Sequence, residues 1–234
     1  MGQKGDDKVY LRATTPSETG EWLALSYQWG PKPHFCTTID NLNSHLQGME
    51  FATLPDTFRD AVIVTRALGC RYLWIDSLCI VQGEGGDFNQ EAKRMEQVYS
   101  GAYCVLAISR AASHYGGFLH KRRERDVVAL SPGQARQNQS SIPSTSPPSF
   151  YICESIDDFN AHVLESGLNR RGWVLQEHAL ARRTVFFTDH QTYFECGEGV
   201  RCETMMKMKR YYIPLSHTPS TIQITDNPHS KTAN

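Results

Sequence analysis

This chain of 234 residues has no long apolar run, no surplus of charge and no tight grouping of cysteine with histidine. No run approaches the about 20 apolar residues that a membrane-spanning helix needs, so no contact with a membrane is expected. Basic and acidic residues nearly cancel, with a formal net charge of −1. No global field therefore draws nucleic acid or an anionic surface. The seven cysteines, at 36, 70, 79, 104, 153, 196 and 202, are odd in number and scattered. Cys70, Cys79 and Cys104 lie in or beside apolar segments and read as small buried hydrophobes in a reducing compartment. His190, Cys196 and Cys202 match no common zinc spacing and lack an evident fourth ligand, so no metal is expected. The first residues, Met1 to Asp6, carry no apolar signal segment, and Asp6 stands where a myristoylation pattern wants Ser or Thr. A cytoplasmic protein is expected.

What is present is enough apolar residue, 40%, for a real core. Arg71-Tyr72-Leu73-Trp74-Ile75-Asp76-Ser77-Leu78-Cys79-Ile80 is an almost unbroken apolar run holding one acid. A run so short and apolar predicts a strand over 72–81, buried on both faces as in a parallel sheet. Trp22–Tyr27 predicts an earlier strand, ended by Gly30 and Pro31, and Tyr103–Ile108 a later one. Between them the spacing predicts two helices. Over 54–69, Thr53 suits the cap, Pro55 the first turn and Gly69 the exit, with Phe58, Ala61, Val62, Thr65 and Leu68 on one stripe. Over 87–100, Asp87 and Gln90 suit a capping box, and Phe88, Ala92, Met95 and Tyr99 share a face. Gly83–Gly86 reads as a turn. Strand, helix, strand, helix, strand implies parallel strands joined by right-handed crossovers.

The expected fold is therefore α/β: a mainly parallel sheet flanked by helices, flavodoxin-like in its first half. A long insertion over 109–170 interrupts it, and extra edge strands follow over 184–203. A flexible N-terminus (1–20) precedes a single domain (21–210), and a flexible tail (211–234) follows. Within the insertion, 131–149 is rich in Ser, Pro and Gln and is expected to be disordered. A strand is expected at 150–154 and a short helix over 156–166. The mixed charge run Lys121–Asp126 reads as a solvated face or, less readily, an anion site. A further helix is expected to start near Gly172.

Chemistry-bearing candidates fall at the strand ends, where open α/β sheets bind ligands. Asp76 is either a cap at the rim or part of a site. Ser26, Tyr27, Trp29 and Gly30 follow the first strand; the glycine would let backbone approach a ligand, and an aromatic ring could stack on a base or sugar. Glu177, with Trp173 one helical turn before it, is the sharpest candidate. A carboxylate on a partly apolar face is costly unless paired, and desolvation raises its pKa as in catalytic acids and bases. The alternative is an ion pair with Arg171, Arg182 or Arg183. Ser77 and Cys79 could each be a nucleophile, although no histidine is tied to either by local spacing.

Three blocks carry a resemblance. They are Leu25-Ser26-Tyr27-Gln28-Trp29-Gly30; Leu54–Ala61 continuing through Arg71–Ile80 to Met95–Tyr99; and Arg171-Gly172-Trp173-Val174-Leu175-Gln176-Glu177, with Phe194-Glu195-Cys196 downstream. Together they resemble the fungal heterokaryon incompatibility (HET) domain. That resemblance implies non-self recognition and a cell-death response, acting through protein partners or self-association. The chain departs from the family at Gln82–Gly86, where an acidic turn is usual, and at His178, where a more basic residue is common. More distantly, the element order is similar to Toll/interleukin-1 receptor (TIR) domains, some of which hydrolyse NAD with a Glu in a Trp-Cys-Leu-x-Glu block. Trp173–Glu177 looks like that block, with Val for Cys. This second likeness implies a nucleotide ligand, with NAD as substrate rather than cofactor. Glu177 would be catalytic, and Ser26, Tyr27, Trp29, Gly30, Asp76, Ser77 and Trp173 would line the site. Another recruited small-molecule enzyme on the same scaffold is the remaining alternative.

Overall fold

The computed structural model describes residues 6–15, 18–122, 124, 127–130, 150–153, 157–171 and 174–208. In chain order the strands and helices are β1 (Lys8–Val9), β2 (Trp22–Ser26), α1 (Leu42–Gln47), β3 (Met49–Glu50), α2 (Asp56–Ala67), β4 (Tyr72–Trp74), α3 (Asp76–Cys79), α4 (Phe88–Glu91), α5 (Met95–Gly101), β5 (Cys104–Ile108), β6 (Val127–Leu130), β7 (Phe150–Cys153), a π-turn (Asn160–Leu164), α6 (Val174–Leu180), β8 (Arg183–Phe187), β9 (Thr192–Cys196) and β10 (Gly199–Cys202). The main sheet has six strands in the order β10-β9-β8-β5-β2-β4. β4, β2, β5 and β8 are parallel, and β9 and β10 add an antiparallel edge. The α/β class expected from the alternation is the class found.

The chain visits the parallel strands in the order β2, β4, β5, β8. It steps one way to β4, then back across β2 to β5 and on to β8. Crossovers of one hand place their helices on opposite faces when the direction of travel reverses. The core shows this. Leu23, Leu25, Leu106 and Ile108 bury against Phe58, Ala61 and Val62 of α2. The intervening residues Ala24 and Val105 bury against Tyr99 of α5, and Ala107 against Val174 of α6. The period of two along each strand divides the layers. Between β2 and β5 the direction of travel reverses, and the crevice beyond such a point is where these sheets bind ligands.

Several local expectations are corrected. The apolar run at 72–81 is not one doubly buried strand. Only Tyr72–Trp74 pairs as a strand, on the sheet edge and half-buried, and Asp76–Cys79 turns into a short helix. Asp76 supplies the reason: its Oδ1 accepts the Ser77 N–H at 2.6 Å, the local bond by which Asp competes with strand pairing. The helix expected over 87–100 is broken into α4, a 3₁₀ turn at Ala92–Arg94, and α5. No side-chain cap forms at Asp87; its Oδ1 takes the Val81 N–H at 2.7 Å instead, and Phe88 is 49% exposed. Helix α2 runs from Asp56 to Ala67, with Pro55 at the cap, Thr53 in a preceding 3₁₀ turn, and Leu68 exposed past its end. Gly69 makes the exit with φ +73°.

Within the segment expected to be ragged, β1 pairs antiparallel with β3. Between the first strand of the sheet and α2, the chain also holds α1 and β3. In the insertion, β6 and β7 form a separate two-stranded sheet, and the expected short helix is the π-turn at Asn160–Leu164. The segment 131–149, the tail 211–234, and Gly172 with Trp173 lie outside the described residues.

Candidate functional site

Strand parity decides which way each candidate points. Leu25 faces α2, so Ser26 faces the α5 and α6 side and Tyr27 the α2 side again. On the first side, Ser26 Oγ donates to Glu177 Oε2 at 2.5 Å. Glu177 sits in the first turn of α6 and is 4% exposed. The Tyr99 hydroxyl of α5 donates to the Leu25 carbonyl oxygen at 3.3 Å and is near enough to Glu177 to favour its charged form. On the other side, buried Tyr27 stacks edge-on to Phe58, and its hydroxyl donates to Ser77 Oγ at 3.0 Å.

Asp76 joins the two halves. In the parallel register Ala24 pairs with Trp74. Asp76 follows two residues later, past the end of β4 and at the first position of α3. Trp29 Nε1 donates to Asp76 Oδ2 at 2.8 Å, while the Ser77 N–H and the Tyr27 hydroxyl also reach its carboxyl. Arg171, from the turn before α6, donates to the Tyr27 carbonyl oxygen. Its positive charge acts on Asp76, Glu177, Tyr27 and Tyr99 alike.

The electrostatics follow from burial. Desolvation pushes the Glu177 carboxyl above its ordinary range, and the Ser26 bond and Arg171 only partly offset it. Asp76 is pushed up for the same first reason, against the bonds from Trp29, Ser77 and Tyr27. The negative charge of Asp76 also raises Glu177. Two carboxyls held above their usual pKa at one end of a sheet are the pattern that acid–base sites use. A small cavity of about 10 Å³ lies beside Glu177, lined by Ser26, Val105, Ala107, Leu168, Val174 and Phe186.

Of the residues singled out in the sequence, Ser26, Tyr27, Trp29, Asp76, Ser77 and Glu177 are brought together. Gly30 is not: its φ is +75°, and its bare Cα faces Ser113, where a Cβ would meet the serine Cβ at 2.2 Å. It makes room for protein, not for a ligand. Trp173 lies outside the described residues. The ion-pair alternative for Glu177 resolves to Arg171 acting at longer range, since Arg183 is engaged with the Tyr103 ring and carbonyl. In the charge run, Arg122 pairs with Glu203 at 2.6 Å. His190 stacks on His162 at 3.8 Å, and Cys202 Sγ lies 3.0 Å from Thr204 Oγ1. Among the described residues, no group of three or more His, Cys, Asp or Glu is placed to hold a metal ion. None of their helices is long and apolar enough to cross a membrane.

Sequence reasoning missed Tyr99 and His114 as site residues. Tyr99 was visible only as one apolar position on a helix. His114 had no local signal, being isolated in an irregular loop.

The sequence model of the family described as heterokaryon incompatibility protein (HET) matches residues 22–177, more than half of the chain. The chain belongs to the HET family. That match begins at the first residue of β2 and ends at Glu177, so its limits enclose the cluster just described. No curated protein and no solved structure matches the chain. This protein is thus a heterokaryon-incompatibility domain protein with an α/β fold. Its HET-family blocks, far apart in sequence, meet at the C-terminal ends of the parallel strands.

Proposed function

We propose that this HET domain is a cytoplasmic module of fungal non-self recognition that signals cell death, through self-association or a protein partner. We further propose that its working site is the Glu177–Asp76 carboxyl pair, acting on the glycosidic bond of NAD in the manner of TIR-like glycohydrolases. One observation carries the chemical half. A buried glutamate and a second, part-buried acid, with the charge of one arginine acting on both, converge where the strand order reverses. Two acids against one guanidinium favour a ligand that is cationic at its reacting centre, as a pyridinium riboside is.

In this reading the Glu177 carboxylate stabilises the oxocarbenium-like ribosyl centre as the carbon–nitrogen bond breaks. The bonding electrons leave with neutral nicotinamide. Water oxygen then adds to the ribosyl carbon, and its proton passes to a carboxylate of the pair. Tyr99 and Ser26 orient Glu177, and Trp29 holds Asp76.

The test is incubation of the self-associated protein with NAD and chromatography for free nicotinamide. Release by the wild type and its loss in Glu177→Gln are expected. No release, or release unchanged in Glu177→Gln, removes the chemical half and leaves the protein-contact role. A monomer that is harmless when overexpressed in a fungal host would count against that role as well.

A further inference from the structure

The site described above is shut. Glu177 is 4% exposed, and the cavity beside it, about 10 Å³, has room for about one water at most. Something must move before a nucleotide-sized molecule reaches Glu177. Over Asp76 lies the segment Trp29–Phe35, whose indole is itself hydrogen-bonded to that carboxylate. Its middle, Gly30–Pro33, is exposed. Its ends are held by one side chain. His114 Nδ1 donates to the Trp29 carbonyl oxygen at 2.7 Å, and His114 Nε2 accepts the Phe35 N–H at 3.4 Å. The two partners set the tautomer, since one is an acceptor and the other a donor.

His114 is 1% exposed, and its own loop is fastened to α2. Thr57 Oγ1 donates to the Ser113 carbonyl oxygen at 3.1 Å and accepts the Gly117 N–H at 3.2 Å. The Thr57 N–H donates to the His114 carbonyl oxygen at 3.0 Å. Asp60 Oδ2 accepts the N–H groups of Phe118 and Leu119 at 2.6 and 2.9 Å. A firmly anchored loop thus grips both ends of an exposed one.

We infer that Trp29–Phe35 is a lid over Asp76, on the Trp29 side of the site, and that His114 is its clasp, a positioning residue that keeps Trp29 on Asp76. What enters when the lid lifts rests on the function proposed above; the clasp itself does not. Hydrogen–deuterium exchange of the full chain, read by mass spectrometry, tests it without any substrate. In His114→Phe both bonds go while the ring packing stays. Peptides spanning 29–35 should exchange about tenfold faster or more, as loss of two hydrogen bonds implies, with β5 unchanged. His114→Asn, which keeps an N–H where Nδ1–H stands, should restore much of the protection. Gly30→Ala is the independent variant: its methyl, 2.2 Å from Ser113 Cβ at φ +75°, should wedge the lid off and raise exchange over 29–35 alone. Unchanged exchange there, an equal rise in β5, or no recovery in His114→Asn would overturn the clasp. None of these outcomes depends on nicotinamide release, so a failure of turnover and a failure of the clasp are told apart.

Discussion

Ser26→Ala takes from Glu177 the hydroxyl that donates to Oε2 at 2.5 Å in a site where the acid is 4% exposed. The carboxyl keeps Tyr99 and the pull of Arg171, so it is weakened in its partners rather than stripped of them. Leaving a buried polar group short of a partner costs roughly 1–3 kcal/mol. For a chain of this size, that corresponds to a melting temperature lower by roughly 2–12 °C. Glu177→Met removes the acceptor instead, strands the Ser26 hydroxyl, and should cost a similar roughly 1–3 kcal/mol. The double variant differs in kind, because replacing both partners with apolar groups of like shape leaves neither unsatisfied. It should be more stable than the sum of the single losses, with a coupling of roughly 0.5–3 kcal/mol. Urea unfolding of the four proteins measures this. Additivity within about 0.5 kcal/mol would mean that Ser26 and Glu177 do not share the bond, and the reasoning that joins β2 to α6 would fail.

Stability should also depend on pH through the same acid. Burial raises the folded Glu177 above its ordinary 4.5 and Asp76 above 3.8. In the window between the ordinary and the raised values, the native state holds the extra protons. Their contribution is present below the ordinary pKa and is lost as pH rises through the folded one. Wild-type melting temperature minus that of Glu177→Gln should therefore fall as pH rises from about 4; a flat difference would refute the raised pKa. Thr57→Val keeps shape but strands the Ser113 carbonyl and the Gly117 N–H. It should cost roughly 1–3 kcal/mol in urea unfolding, and a neutral result would show that the 111–119 loop does not depend on α2.

The three HET-family blocks gain separate physical roles from this geometry. The first supplies Ser26, Tyr27 and Trp29 to the site. The second supplies Asp76 directly, while its Thr57 and Asp60 fasten the loop that carries His114. The third supplies Arg171 and Glu177. Residues that touch no site atom, such as Asp60, serve by fixing a loop that fixes the lid. That role cannot be read from spacing along the chain.

The sequence by itself determined the class of fold, the helix expected over 54–69 and the strands expected over 22–27 and 103–108, each to within two residues at either end, and the short list of polar residues at strand ends. These rest on apolar periodicity and turn chemistry, which are local and survive in a single sequence. The same reasoning overran at 75–80, where apolar content suggests a strand but a side-chain bond from Asp76 to the Ser77 N–H turns the backbone. Only the tertiary structure decided that Ser26 meets Glu177 while its neighbour Tyr27 meets Ser77. That outcome needs the parity of β2, the face each crossover takes, and the parallel pairing of β2 with β4. Only the tertiary structure placed His114 at both ends of the lid and turned Gly30 toward Ser113 rather than toward a ligand. Such pairings join residues from distant segments whose local sequences carry no mark of each other, because contact between them is made by the sheet and not by the chain.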